Sequence, residues 1–122
     1  MITGSINAKI EAVIPLEVFE AQGQARALDV ILDTGYSGYL TLPAETAAAF
    51  GLHSSGTEQL TLADGTEVIA RICSATVVWD GRPRHVDVDV LETSPLVGMA
   101  LLKGYELNAR IVEGGPVTLT AC

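Results

Sequence analysis

Turn chemistry recurs so densely along this chain that no long element has room to form. Gln22-Gly23-Gln24, Ala63-Asp64-Gly65-Thr66, Asp80-Gly81-Arg82-Pro83 and Gly114-Gly115-Pro116 each carry the residues that tight turns require. Ala25 to Leu32 places Leu28, Val30 and Leu32 on one face, the period-two signature of a half-buried strand. Ser5 to Ile10 alternates as well. Ala12 to Phe19 is apolar with Pro15 inside it, which predicts an edge strand or a bulge. Gln59 to Leu62 and Glu67 to Ile72 flank Asp64-Gly65, the pair favoured in two-residue hairpin turns. Val77 to Trp79 with Val86 to Leu91, and Ile111-Val112 with Val117 to Thr120, predict two further hairpins.

Helix signals are scarce. Pro43 to Gly51 starts with proline at a plausible first helical position, runs through alanines and stops at glycine. Met99 to Lys103, ending at Gly104, predicts one or two turns. Together these elements predict an all-β chain, a small closed β-barrel with one or two short helices, in a single domain over residues 1–122.

Composition excludes several function classes. The chain is 48% hydrophobic with a mean hydropathy of +0.36, too apolar for a disordered segment. No apolar run approaches the length of a membrane span. The stretch Met1 to Ala12 lacks the basic start and apolar run of a signal peptide, which predicts an intracellular, cytoplasmic protein. Seven basic residues against fifteen acidic ones give a net charge of −8, which repels phosphate backbones and argues against a nucleic-acid partner. Cys73 and Cys122 lie far apart in no zinc or redox spacing and read as reduced thiols. A disulfide between two copies through Cys122 would need an oxidising setting.

The stretch that carries chemistry is ILDTGYSGYLTLP, Ile31 to Pro43. An apolar strand delivers Asp33 to a glycine turn. A carboxylate can activate water only when it is held rigidly and given an acid partner. Two carboxyls a few ångströms apart share one proton, so one can accept a proton from water while the other donates to a carbonyl. Gly35 has no side chain and would let two such loops approach, and the Thr34 hydroxyl could tie them together. Only one Asp-Thr-Gly is present, so a dyad requires two chains meeting on a two-fold axis at Asp33. Taken alone, the tripeptide is weak evidence for such a role, since Asp and Gly are ordinary turn residues.

Other candidates carry less. Gly35-Tyr36-Ser37-Gly38-Tyr39 fails the serine-elbow pattern because position 39 is tyrosine, and Ser37 reads as a turn hydroxyl. His53 and His85 sit in no metal spacing and read as surface or edge residues. Asp87 and Asp89 alternate with Val86, Val88 and Val90 and read as the solvated face of a strand. Asp64 serves its turn before any substrate, Trp79 reads as packing, and Arg82 and Arg84 as solubilising charges.

The run Ile31-Leu32-Asp33-Thr34-Gly35, Tyr36-Ser37-Gly38, Leu40-Thr41-Leu42-Pro43 resembles the retropepsin-like (clan AA) aspartic proteases, most of all their small stand-alone bacterial and archaeal type. A second element, Leu96-Val97-Gly98 followed by Met99-Ala100-Leu101-Leu102-Lys103-Gly104-Tyr105, matches the family's apolar pair, glycine and short leucine-ending helix. The resemblance covers nearly the whole chain. It implies a homodimeric aspartic endopeptidase acting on peptide or protein substrates, with no metal and no cofactor. It implies Asp33 as catalytic acid, Thr34 as the cross-dimer hydrogen bond and Gly35 as the close turn. Leu96-Val97-Gly98 would pack beneath that loop. Leu62, Ala63, Asp64, Gly65 and Thr66 would form a flap over an extended peptide, with Tyr36 and Ser37 beside it in the substrate cleft. Retroviral members usually carry a small residue where Tyr36 stands, so its ring either narrows the cleft or buries itself against the barrel. The flap is also poor in glycine. Two other readings remain open on sequence: a non-catalytic peptide-binding or dimerisation module of the same fold, and a structural barrel whose Asp-Thr-Gly is only a turn.

Overall fold

The computed structural model describes residues 1–122. Ten strands and two short helices follow one another as β1 (Ile2–Ile6), β2 (Ala12–Phe19), β3 (Ala25–Leu32), β4 (Leu40–Leu42), α1 (Ala44–Ala49), β5 (His53–Thr61), β6 (Glu67–Trp79), β7 (Arg82–Val90), β8 (Leu96–Val97), α2 (Met99–Leu102), β9 (Tyr105–Ala109) and β10 (Pro116–Ala121). The strands form one sheet in the order β5-β6-β7-β4-β8-β3-β2-β1-β10-β9, and an added β2–β6 pairing closes the middle of it into a ring. The chain is therefore all-β, with strands around an apolar centre. Ile14, Leu16, Val18, Val30, Leu40, Leu42, Val77, Val88, Val97, Leu101, Val117 and Leu119 are the largest side chains sealed inside. Each is worth about 1.5–3 kcal/mol of burial.

Local chemistry explains where strands start and stop. The side chain of Asn7 accepts from the backbone N–H of Lys9 and Glu11 at 3.0 and 2.9 Å. Ile10 takes a left-handed φ of 60°. The chain therefore turns at residues 7–11, and β1 ends at Ile6 instead of running to Ile10 as its alternation predicts. Pro15 does not make β2 an edge strand. Along one side, β2 pairs with β1 at Ala12 and Val13, then with β6 at Glu17 and Val18. Pro15 falls between these two partners, so its missing N–H interrupts neither ladder.

The Asp80-Gly81 turn is the two-residue one. Both residues have positive φ, 52° and 81°, as a type I′ hairpin requires. Asp64-Gly65 instead sits in a three-residue loop, closed by the Leu62 N–H on the Thr66 carbonyl at 2.7 Å, with Gly65 left-handed. The strand opposite β10 is Tyr105–Ala109, not Ile111-Val112. Ile111 and Val112 lie exposed in the connecting loop. Pro43 precedes α1 as its cap, with extended backbone. α2 is a single turn. Asp80 also ties the sheet's far end to the ring: its carboxylate takes the Met1 ammonium at 2.7 Å and the Tyr105 hydroxyl at 3.0 Å. No helix is long and apolar enough to cross a membrane.

Candidate active site

Strand order dictates the site. β8 lies between β3 and β4, parallel to the first and antiparallel to the second. The β3–β4 connection, residues 33–39, must therefore straddle the end of β8 and the start of α2. It is fastened there by backbone bonds. The Asp33 N–H donates to the Val97 carbonyl at 2.9 Å, Gly98 N–H to Tyr39 carbonyl at 3.1 Å, Met99 N–H to Tyr36 carbonyl at 2.8 Å, and Ala100 N–H to Gly38 carbonyl at 3.1 Å. The two sequence elements singled out above, Ile31 to Pro43 and Leu96 to Tyr105, are thus brought together by hydrogen bonding.

Asp33 leaves β3 just after the buried Leu32 and is itself half-buried, while Thr34 and Gly35 are exposed. The Asp33 Oδ1 accepts the Gly35 N–H at 2.9 Å, and the Tyr36 N–H closes a turn on the Asp33 carbonyl at 3.2 Å. A Cβ on Gly35 would stand 3.3 Å from Asp33 Oδ1, so glycine there keeps the carboxyl uncrowded.

Tyr36 turns inward. Its ring occupies the space that Cβ atoms on Gly38 and Gly98 would need. Its hydroxyl reaches Asp89 Oδ2 at 2.5 Å and the Leu40 carbonyl at 3.2 Å. Burial, and then the bond to Asp89, hold the phenol well above the ordinary tyrosine range, with Thr41 acting in the opposite sense. Asp89 is 5% exposed, so it does not lie on a solvated strand face. Period two puts it on the opposite side from Val88, but in this closed ring the loop 33–39 covers that side as well. Sequence periodicity could not reveal this. The available signal was Tyr36 itself, because a phenol tucked into a glycine loop needs a buried acceptor. The hydroxyl of Thr41 is fully buried beside the phenol. Glu58 of β5 faces Asp89 from the exposed side. Hydrogen bonding to Asp89, then burial and the charges of Asp89 and Asp87, raise its pKa.

The hairpin β5–β6 carries Leu62, Ala63, Asp64, Gly65 and Thr66 at its exposed tip. Asp64 Oδ1 accepts the Thr66 N–H at 2.8 Å, which holds its carboxyl below the ordinary range. Ile69 on the same hairpin is 77% exposed, the most open large aliphatic residue of the chain. Ser37 is exposed beside the loop, as is His53 at the start of β5. His85 pairs only with Thr76, at 3.3 Å.

No family model matches the sequence, and no curated protein matches it. Among solved structures, the chain is similar to the crystal structure of a retropepsin-like aspartic protease from Rickettsia conorii. The match covers 99% of this chain and 90% of that one, at 20% identity and a TM-score of 0.62. The chain accordingly has the retropepsin-like fold.

Proposed function

We propose that the chain is an aspartic endopeptidase that works as a homodimer, with Asp33 of each copy forming one dyad. The observation that carries this reading is the setting of Asp33. Its carboxyl sits on a loop fastened at four backbone points, oriented by Gly35, with Thr34 and Gly35 open to a second copy. Rigid placement of this kind is what general acid–base work by carboxyls requires.

In the dyad one Asp33 is ionised and its mate is protonated. Water attacks the peptide carbonyl carbon, gives a proton to the ionised carboxylate, and the mate protonates the carbonyl oxygen. A tetrahedral gem-diol results. Proton transfer from the dyad to the amide nitrogen lets the C–N bond break. One hydroxyl proton returns to the dyad, leaving a carboxylic acid, an amine and the single shared proton. The substrate would lie extended beneath the β5–β6 hairpin, held by main-chain bonds, with Leu62 to Thr66 above it and Ser37 beside it. Tyr36 would act from within the wall.

The test is cleavage of a diverse peptide mixture by wild type and Asp33→Asn, read by mass spectrometry from pH 4 to 7. The asparagine keeps an oxygen for the Gly35 N–H, so the loop is preserved while the acid is lost. Cuts confined to wild type are expected. Cuts that persist in Asp33→Asn would overturn the assignment, and peptide binding without cutting in either protein would leave a binding module of the same fold.

A further inference from the structure

We infer that Asp89 is a positioning residue for this site, acting through the Tyr36 hydroxyl to fix the loop that carries Asp33. The inference rests on the peptidase reading above and names a residue outside the Asp-Thr-Gly element. Asp89 belongs to β7 and stands 53 positions from Tyr36 in the chain. It is nine-tenths buried, and both ion pairs of the chain lie elsewhere, at Met1–Asp80 and Arg26–Glu20. A buried carboxylate without a cation costs stability unless it is hydrogen-bonded. A valine in its place, on the face opposite Val88, would bury at no such cost. What the acid supplies is a fixed acceptor at the end of the Tyr36 ring.

The consequences run along bonds already described. The ring is wedged against Gly38 and Gly98, so pinning its hydroxyl fixes the ring's position. The backbone of Tyr36 is joined to Asp33 on one side and to Met99 on the other. A loose ring would therefore loosen the turn over which the Asp33 carboxyl is aimed. Small misplacements of a reacting group cost rate more than they cost substrate binding.

The test uses a variant that separates placement from stability. Tyr36→Phe/Asp89→Val removes the buried polar pair together and leaves only the exposed Glu58 without its Asp89 contact, so the protein is expected to stay folded. Expected for it are a kcat lower by about ten- to a hundredfold with KM within about twofold, and faster hydrogen exchange at the Gly35 and Tyr36 amides at unchanged global stability. Asp89→Asn, whose amide oxygen can still accept from Tyr36, should restore kcat to near wild type. Unchanged kcat and unchanged loop exchange in the stable double variant would overturn the inference, as would an Asp89→Asn variant no better than Asp89→Val. If wild type cleaves nothing, the peptidase reading fails by itself, and the exchange comparison alone decides whether Asp89 holds the loop.

Discussion

Gly98 lies flush against Tyr36: a methyl group on Gly98 would fall on the tyrosine ring and on the carbonyl oxygens of Tyr36 and Gly38. Gly98 has an ordinary extended backbone, with φ −105°. Alanine would be at home there conformationally, so the whole penalty is steric. Gly98→Ala should cost about 1–3 kcal/mol or more, the price of overpacking a filled site. Gly38 differs, because the nearest atoms to its missing Cβ all belong to the Tyr36 ring. Gly38→Ala should therefore be costly in wild type and nearly free in a Tyr36→Ala background, whereas Gly98→Ala should stay costly in both. Urea unfolding of the two double-mutant cycles checks this. Additive costs for Gly38→Ala and Tyr36→Ala would mean that the ring is not seated as described.

At the hairpin tip glycine is needed for the opposite reason. Gly65 has φ +87° and nothing within 4 Å of where a Cβ would sit. Gly65→Ala should cost about 1–2 kcal/mol from the left-handed backbone alone. Gly65→Asn should recover most of that, since asparagine tolerates this region. Thermal melts of the two variants would rank them, and an equal loss for both would point to a hidden contact at the tip.

The parts of this molecule that depend on local chemistry were readable in the sequence. Asp80-Gly81 marks its turn because both positions need positive φ, and Ile31 to Pro43 reads as strand, loop, strand because its apolar run breaks at Asp33-Thr34-Gly35. What the sequence could not show depends on ring closure. Glu67 to Ile72 and Val77 to Trp79 read as two strands but form one, β6, because the same strand leaves the hairpin and enters the ring. Ile111 and Val112 look like strand residues by type, yet Tyr105 to Ala109 takes the place beside β10. Asp89 illustrates the limit best. Its period-two position argues for solvent, and only the folding of the loop 33–39 across β8 brings a tyrosine over it.

Thr34 is exposed at the crest of that loop. If two copies meet there, its hydroxyl has a use only in the dimer. Thr34→Ala should leave the stability of the isolated chain within about 0.5 kcal/mol, as for other exposed positions. It should weaken the dimer by about tenfold, the worth of a hydrogen bond or two. Sedimentation over a concentration series measures the second quantity and denaturant melts of dilute protein the first. A dimer as tight as wild type would remove Thr34 from the interface.

The facing carboxyls of Glu58 and Asp89 predict how stability changes with pH. Hydrogen bonding to Asp89 raises the Glu58 pKa above its ordinary value of 4.5. The folded chain thus holds this proton more tightly than the unfolded one does. The stabilisation is fully present below about 4.5 and is lost as pH rises through the raised folded value, where Glu58 gives up the proton it holds toward Asp89. Glu58→Gln keeps a neutral donor at all pH values. It should therefore be more stable than wild type at pH 7, by no more than about 1 kcal/mol because Glu58 is open to solvent. The two proteins should converge in stability below pH about 4.5. Denaturant midpoints from pH 4 to 8 would show the two curves separating as pH rises. Curves that stay parallel over the whole range would mean that the Glu58 proton is not held toward Asp89.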